Sequence, residues 1–168
     1  MKGLTIRPES PTDFAAIREL TLRAFSGMPY SDGDEHELID ELRARKALSI
    51  SLVAERDGLV VGHIAFSPAY PEDGTPGWYA LGPVSVLPKD QLQGIGTALI
   101  NTGLTSLKDF AGIGCILTGN PDYYRRFGFS LSPDNVPPGE SEEYFMVNTL
   151  GSVTPTGPIR FHGAFHGG

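Results

Sequence analysis

The sequence is poor in cysteine, in basic residues and in long apolar runs. Its 168 residues include one cysteine, Cys115, so no internal disulfide can form. No apolar run approaches the ~18 residues that a membrane-spanning helix needs, and the N-terminus lacks an apolar signal region. Asp and Glu outnumber Lys and Arg by 20 to 13, which gives a formal net charge of -7. We therefore expect a cytoplasmic protein that binds neither nucleic acid nor membrane, and an amine-bearing substrate would suit its negative field.

Several common ligand-binding signatures are also missing. The Gly-Lys-Ser/Thr of a P-loop occurs nowhere, and the dinucleotide fingerprint fails because Leu99 stands where a third small residue is required. Outside the C-terminal tail pair, the histidines show no convincing ligand spacing, so the sequence predicts no metal site. The four histidines are His36, His63, His162 and His166.

Hydrophobic periodicity predicts strands interleaved with helices in a single domain spanning residues 1–168. Ser10 can cap a first helix, and Asp13 supplies a carboxylate in its first turn. A second helix follows, and a third begins at Ile95 and ends near Gly112. The predicted strands cover residues 3–7, 50–55, 59–67, 78–87, 115–119, 143–150 and 159–162, the last of them an edge strand.

The stretch from Leu81 to Thr97 carries the strongest functional signal. Its strand ends at Pro88, and Ile95 begins an apolar helical stripe. Gly94 and Gly96 lie at the start of that helix, where unpaired backbone N–H groups and the positive end of the helix dipole favour an anion. Glycine also removes the Cβ that would hold a phosphate away, so the stretch predicts a ligand that carries phosphates.

Two motifs in this order resemble those of the GNAT superfamily, the GCN5-related N-acetyltransferases. The turn matches the pyrophosphate motif Q/R-x-x-G-x-G/A through Gln91, Gly94 and Gly96. The segment NPDYYRRFGF, residues 120–129, matches a second block in which Tyr124 stands four residues before a Gly-Phe pair. The doubled tyrosine of this segment resembles the corresponding block in a bacterial subgroup of predicted acetyltransferases. The order of predicted elements fits the superfamily over nearly the whole chain.

The resemblance implies a GNAT fold. This is an α/β (α+β) architecture with a single mixed, mostly antiparallel sheet of six or seven strands, splayed at the fourth strand, and with helices on both faces. The residues themselves indicate an irregularity there, because Gly82-Pro83 interrupts a segment that otherwise has the pattern of a buried central strand. A bulge is the natural solution. The alternative is that Gly82-Pro83 marks the early end of a short strand.

The resemblance further implies acetyl-CoA as cosubstrate, with its pantetheine arm against the fourth strand and its pyrophosphate on the glycine turn. The residues expected to contact it are Val84, Ser85, Val86, Gln91, Leu92, Gln93, Gly94, Ile95, Gly96, Thr97, Asn120 and Tyr123. Two of them have structural alternatives, since Asn120 can cap the helix that follows and Tyr123 can pack between helix and sheet. Arg125 and Arg126 can reach coenzyme phosphates or form a solvated helix face.

Acetyl transfer to an amine requires a neutral amine, a donor to the developing oxyanion and a proton for the departing thiolate. Tyr124 occupies the superfamily's general-acid position, and a phenol with its ordinary pKa of ~10 is protonated at neutral pH. Backbone N–H groups near Val86 can meet the oxyanion. Residues 78–86 contain no carboxylate, so His63 is the candidate base, with a structural strand histidine as the alternative. The acidic residues that can bind the amine, or form a solvated helix start, are Asp32, Asp34, Glu35 and Glu37.

The resemblance therefore implies an enzyme that transfers an acetyl group from acetyl-CoA to a primary amine of a small molecule or protein, by direct attack in a ternary complex. The rival hypothesis is a GNAT-like module that holds acyl-CoA as a sensor without turnover. The missing strand carboxylate favours the sensor, and Tyr124 favours the enzyme. Alternating strands near the C-terminus are of the kind that can pair across a homodimer, although nothing in the sequence demands one.

Overall fold

The computed structural model describes residues 3–166, in which strands and helices follow the order expected of an α/β protein. The strands are β1 (Leu4–Pro8), β2 (Ile50–Arg56), β3 (Leu59–Pro68), β4 (Tyr70–Pro71), β5 (Trp78–Val86), β6 (Gly114–Thr118), β7 (Ser130–Leu131), β8 (Phe145–Asn148) and β9 (Ile159–Arg160). The helices are α1 (Phe14–Phe25), α2 (Glu35–Ala44), α3 (Ile95–Asp109) and α4 (Pro121–Tyr124). None of these helices is long and apolar enough to cross a membrane.

Seven strands form one sheet in the order β1-β2-β3-β5-β6-β8-β7. Neighbouring strands are antiparallel except for β5 and β6, which run parallel. The predicted mixed, mostly antiparallel sheet of six or seven strands is therefore confirmed. The predicted final strand, residues 159–162, is present but shorter, as Ile159–Arg160. It pairs with β4 in a separate two-stranded sheet and not with the large sheet.

The capping residues begin a short 3-10 turn, Pro11–Asp13, which continues directly into α1 at Phe14. The Ser10 backbone N–H and hydroxyl both donate to Asp13 Oδ2, at 2.7 and 3.1 Å. Arg7 donates two further hydrogen bonds to the same carboxylate, and these contacts hold the pKa of Asp13 well below its usual value despite its burial. The end of β1 and the start of α1 are thereby joined at one buried carboxylate.

Helices cover both faces of the sheet, as predicted. Val53 of β2 packs with Ile17 of α1 and Ile39 of α2. Successive side chains on a strand point to opposite faces, so the neighbouring Leu52 and Ala54 join the larger hydrophobic core formed with α3. The sheet is thus enclosed between α1 and α2 on one side and α3 on the other.

The predicted irregularity of β5 is a bulge. The step from Ile64 to Phe66 on β3 is opposed by the longer step from Val84 to Leu81 on β5, which places one extra residue on β5. That residue falls at Gly82-Pro83, where Gly82 has a φ of 138°, a value that favours glycine. The alternative of an early strand end is wrong, because β5 continues to Val86.

Beyond the bulge, β5 and β6 separate. The two strands pair between Trp78–Ala80 and Gly114–Ile116, whereas Leu117 and Thr118 pair with β8 and not with β5. Within the described chain, the edge of β5 that faces β6 is therefore unpaired from Gly82 onward. This confirms the splay at the fourth strand of the large sheet, and it opens a cleft next to the turn that begins α3.

Candidate active site

The glycine turn connects the end of β5 to α3. Gly94 is the N-cap of α3 with a φ of 85°, which favours glycine. The backbone N–H groups of residues 92–97 donate no hydrogen bond to any residue in 3–166, as expected where a helix begins. A Cβ at Gly96 would lie 3.5 Å from the Tyr123 hydroxyl and 3.9 Å from Val86 Cγ2. The turn therefore presents free N–H donors beside the cleft, at the positive end of the helix dipole.

The polar side chains of the turn bind other parts of the protein. Gln91 Nε2 donates to the Val86 carbonyl at 3.0 Å. Arg56 Nη1 donates to Gln93 Oε1 at 3.0 Å and lies 3.7 Å from Asp90 Oδ1. These contacts fix the turn against β2 and β5 and leave its backbone N–H groups free. Sequence reasoning missed Arg56, because its approach to the turn depends on how the β2–β3 hairpin folds back.

The predicted strand contacts lie along the cleft. Val84 and Val86 are half-buried and pack against the core shared with α3. Ser85 points to the opposite face and is 3% exposed. All three belong to the part of β5 that β6 does not cover, so backbone groups directed at the cleft are available to a ligand.

Tyr123 points towards the turn. Its hydroxyl lies 3.3 Å from Thr97 Oγ1, in the first turn of α3. The Arg126 guanidinium stacks on the Tyr123 ring at 4.8 Å from its centroid, and its Nε donates to the Tyr123 carbonyl. Asn120 is exposed, and its Oδ1 accepts a hydrogen bond from the Asp122 N–H at 3.0 Å. The capping alternative for Asn120 is thus present in the structure, while Tyr123 lies beside the turn.

Tyr124 packs against its neighbour Tyr123, and the two rings meet edge-on with centroids 5.0 Å apart. Its ring meets Phe129 edge-on, with centroids 6.1 Å apart. Gly119 allows this position, because a Cβ there would lie 2.5 Å from Tyr124 Cε2. The hydroxyl forms no hydrogen bond to another residue in 3–166. Burial raises the pKa of Tyr124, with smaller contributions from Tyr123 and Tyr30, so the phenol is protonated at neutral pH.

The comparisons with known proteins agree with this geometry. The model of the Acetyltransferase (GNAT) family matches residues 14–129. The chain belongs to the GNAT acetyltransferase family. The uncharacterised N-acetyltransferase YhbS of Escherichia coli K12 is 33% identical over 171 residues, which cover 97% of this chain and 99% of YhbS.

Two solved GNAT structures are similar over almost the full length. A GNAT family acetyltransferase from Brucella melitensis, crystallised with acetyl-CoA, is 47% identical with a TM-score of 0.86, and the match covers 96% of this chain and 97% of that one. YhbS from Escherichia coli, crystallised in complex with CoA, is 33% identical with a TM-score of 0.88, covering 97% and 92% of the two chains.

In this GNAT acetyltransferase, His63 is enclosed. Its ring is 0% exposed, and Nε2 lies 2.8 Å from Ser51 Oγ, which donates to Glu9 Oε1 at 2.6 Å. Burial lowers the pKa of His63 to about 4, although the Glu9 carboxylate opposes the shift. An amine cannot reach either ring nitrogen in this arrangement. The prediction of His63 as a base that contacts the substrate is therefore not supported, and its surroundings match the structural alternative.

The acidic residues near the second helix divide into two pairs. The connection between α1 and α2 lines a cavity of about 390 Å³. Asp32 and Glu35 are among its walls, while Asp34 and Glu37 are not. Glu35 accepts the Ser31 hydroxyl at 2.7 Å. The walls of the cavity also include Thr21, Phe25, Met28, Ser31 and Gly33.

A cavity of about 400 Å³ lies at the start of β5, between Tyr70, Trp78 and Phe110. Residues 3–166 contain no group of three or more His, Cys, Asp and Glu side chains that could hold a metal ion.

Proposed function

We propose that this GNAT acetyltransferase uses acetyl-CoA to acetylate a primary amine of a small molecule or a protein, by direct transfer in a ternary complex. The observation that carries the proposal is the cleft between β5 and β6, which opens beside the free N–H groups of residues 92–97. The Brucella relative is crystallised with acetyl-CoA and the E. coli relative with CoA, which supports the same ligand here.

The residues of the cleft fit coenzyme A. The free N–H groups at the start of α3 suit a pyrophosphate, and Gly94 and Gly96 let it approach the backbone closely. The hydroxyls of Thr97 and Tyr123, 3.3 Å apart, add polar contacts at the same point. The unpaired edge of β5 can bind the amides of an extended arm as a neighbouring strand would. When bound, acetyl-CoA would supply an acyl group activated as a thioester.

Tyr124 is the general acid in this proposal. Its phenol is protonated at neutral pH and its hydroxyl has no partner in residues 3–166, so the proton is available to the departing thiolate. The free N–H groups of β5 near Val86 would stabilise negative charge on the acyl oxygen. We assign the entry of the acceptor to the α1–α2 connection, because Asp32 and Glu35 line its cavity and can attract a cation.

The acceptor amine would reach the site as a cation, because an alkyl ammonium titrates near ~10. Asp32 and Glu35 at the cavity of the α1–α2 connection, and the net charge of -7, attract such a cation. Since β5 has no carboxylate and His63 is enclosed, we assign removal of the amine proton to solvent in the cleft.

Two measurements test the proposed function. A thermal unfolding scan with acetyl-CoA at about 100 times its Kd should show the mass-action stabilisation of about 2.7 kcal/mol. An assay of free thiol with acetyl-CoA and a panel of primary amines should show release that depends on the amine. Absence of any stabilisation at millimolar acetyl-CoA would contradict the proposal.

A second candidate is a sensor that binds acyl-CoA without turnover. The absence of a carboxylate on β5 and the enclosure of His63 favour it, since neither of these two candidate bases is then available to accept the amine proton. The sensor would give the thermal stabilisation but release no thiol with any amine. Release above the rate of spontaneous hydrolysis excludes it.

A further inference from the structure

A chain of hydrogen bonds crosses the sheet from the end of β1 to β3. Arg43 of α2 donates to both oxygens of Glu9, at 2.8 and 3.1 Å. Glu9 Oε1 also accepts the Ser51 hydroxyl at 2.6 Å, and Ser51 Oγ lies 2.8 Å from His63 Nε2. Although burial opposes it, the hydrogen bonds from Arg43 and Ser51 hold the pKa of Glu9 below its ordinary value. Glu9 is therefore ionised at neutral pH and can only accept.

The ionised Glu9 fixes the direction of the bonds that follow. Ser51 has one hydroxyl proton and donates it to Glu9, so its oxygen must accept the proton of His63 Nε2. Glu9 and Arg43 are the charged groups that influence His63, and its ring is neutral at pH 7 because its pKa is about 4. A neutral imidazole protonated at Nε2 has a bare lone pair at Nδ1. The contacts of Glu9 therefore make Nδ1 an acceptor.

His63 Nδ1 and the Ser85 hydroxyl are complementary groups on adjacent strands. Both atoms are fully buried without a hydrogen-bond partner among the described residues. His63 and Ser85 are directly opposite each other in the β3–β5 register, where Cβ atoms stand about 5 Å apart. The Ser85 hydroxyl can donate a hydrogen bond, and the lone pair of Nδ1 has no donor among the described residues. Buried polar groups are rarely left unpaired, and a bridging water is a common solution.

We propose that the Ser85 hydroxyl donates to His63 Nδ1 through one enclosed water, and that Glu9, Ser51, His63 and Ser85 together position the cleft segment of β5. Ser85 lies between Val84 and Val86, whose backbone faces the unpaired edge of the strand. The bulge at Gly82-Pro83 interrupts the ladder just before this segment, so a side-chain bond to β3 would restore the alignment that the bulge weakens. The inference rests on the proposed function, since its purpose is to hold β5 beside the thioester.

These residues are positioning residues, and their signature is spectroscopic. In protein labelled with nitrogen-15 at histidine, the ring resonances of His63, assigned by their loss in H63Q, should show a neutral ring with the proton on Nε2. S85A should move the Nδ1 resonance towards that of an acceptor without a partner. S85T, which keeps the hydroxyl, should retain the wild-type position. S67A is the matched control, because Ser67 is another fully buried β3 hydroxyl without a partner in the described chain.

Activity gives the second measurement. S85A should lower kcat by about tenfold, because small displacements of a reacting group cost this much or more, while S67A should have little effect. A wild-type spectrum with the proton on Nδ1, or an Nδ1 resonance unchanged in S85A, would overturn the inference. The spectra are recorded without acetyl-CoA, so they stand even if the proposed function fails. If the spectra are as expected and no thiol is released, the proposed function fails alone.

Discussion

Acidification should destabilise the protein through His63. The ring is fully buried, and its pKa is lowered from its ordinary 6.5 to about 4. Between these values the unfolded chain binds a proton that the folded chain does not, so stability falls as the pH drops from 6.5 towards 4. Proton linkage with these two pKa values gives a loss of about 2 kcal/mol between about pH 7.5 and pH 5. Below pH 4 the loss from this residue levels off at about 3 kcal/mol.

Urea unfolding followed by fluorescence measures this loss, since Trp78 is the single tryptophan and is 2% exposed. Glu9 and Asp13, whose pKa values are lowered, affect stability mainly below pH 5. Burial also lowers the pKa of His162, which adds to the same window, so the comparison is between wild type and H63Q. H63Q should lose about 2 kcal/mol less than wild type. Equal losses in the two proteins would show that His63 is not the source of the pH dependence.

Three further predictions concern the cleft. In steady-state kinetics, Y124F should lower kcat by about a hundredfold with little change in the KM for acetyl-CoA, because it removes only the general acid. The control variant is Y123F, for which we expect a smaller fall in kcat. G119A should destabilise the protein by about 1–3 kcal/mol in urea unfolding, since its Cβ would lie 2.5 Å from the Tyr124 ring, and an unchanged midpoint would contradict that contact. G96D should preserve the melting temperature, because an acidic residue suits a helix start, yet weaken acetyl-CoA binding at least a hundredfold by calorimetry; wild-type affinity would exclude this turn as the phosphate site.

Local chemistry determined which features could be predicted from the sequence. The capping box at Ser10, the turn at Gly94 and the bulge at Gly82-Pro83 each depend on residues within a few positions of one another. The splay of the sheet at its fourth strand and the helices on both of its faces were predicted from the resemblance to GNAT proteins. The residue roles in the cleft and the homodimer stay predictions.

Long-range packing determined what the sequence could not reveal. The alternation of β3 predicts which face His63 occupies, but not that Glu9, distant in sequence, would fix its ring through Ser51. The pairing of Ile159–Arg160 with β4 was missed because a two-residue strand has no periodicity of its own.

A crystal structure with bound acetyl-CoA would decide whether the glycine turn and Tyr124 serve the same ligand. We expect the pyrophosphate on the N–H groups of residues 92–97 and the thioester sulfur within about 3 Å of the Tyr124 hydroxyl, or one water away. A ligand bound elsewhere, or a sulfur beyond the reach of that hydroxyl, would contradict it.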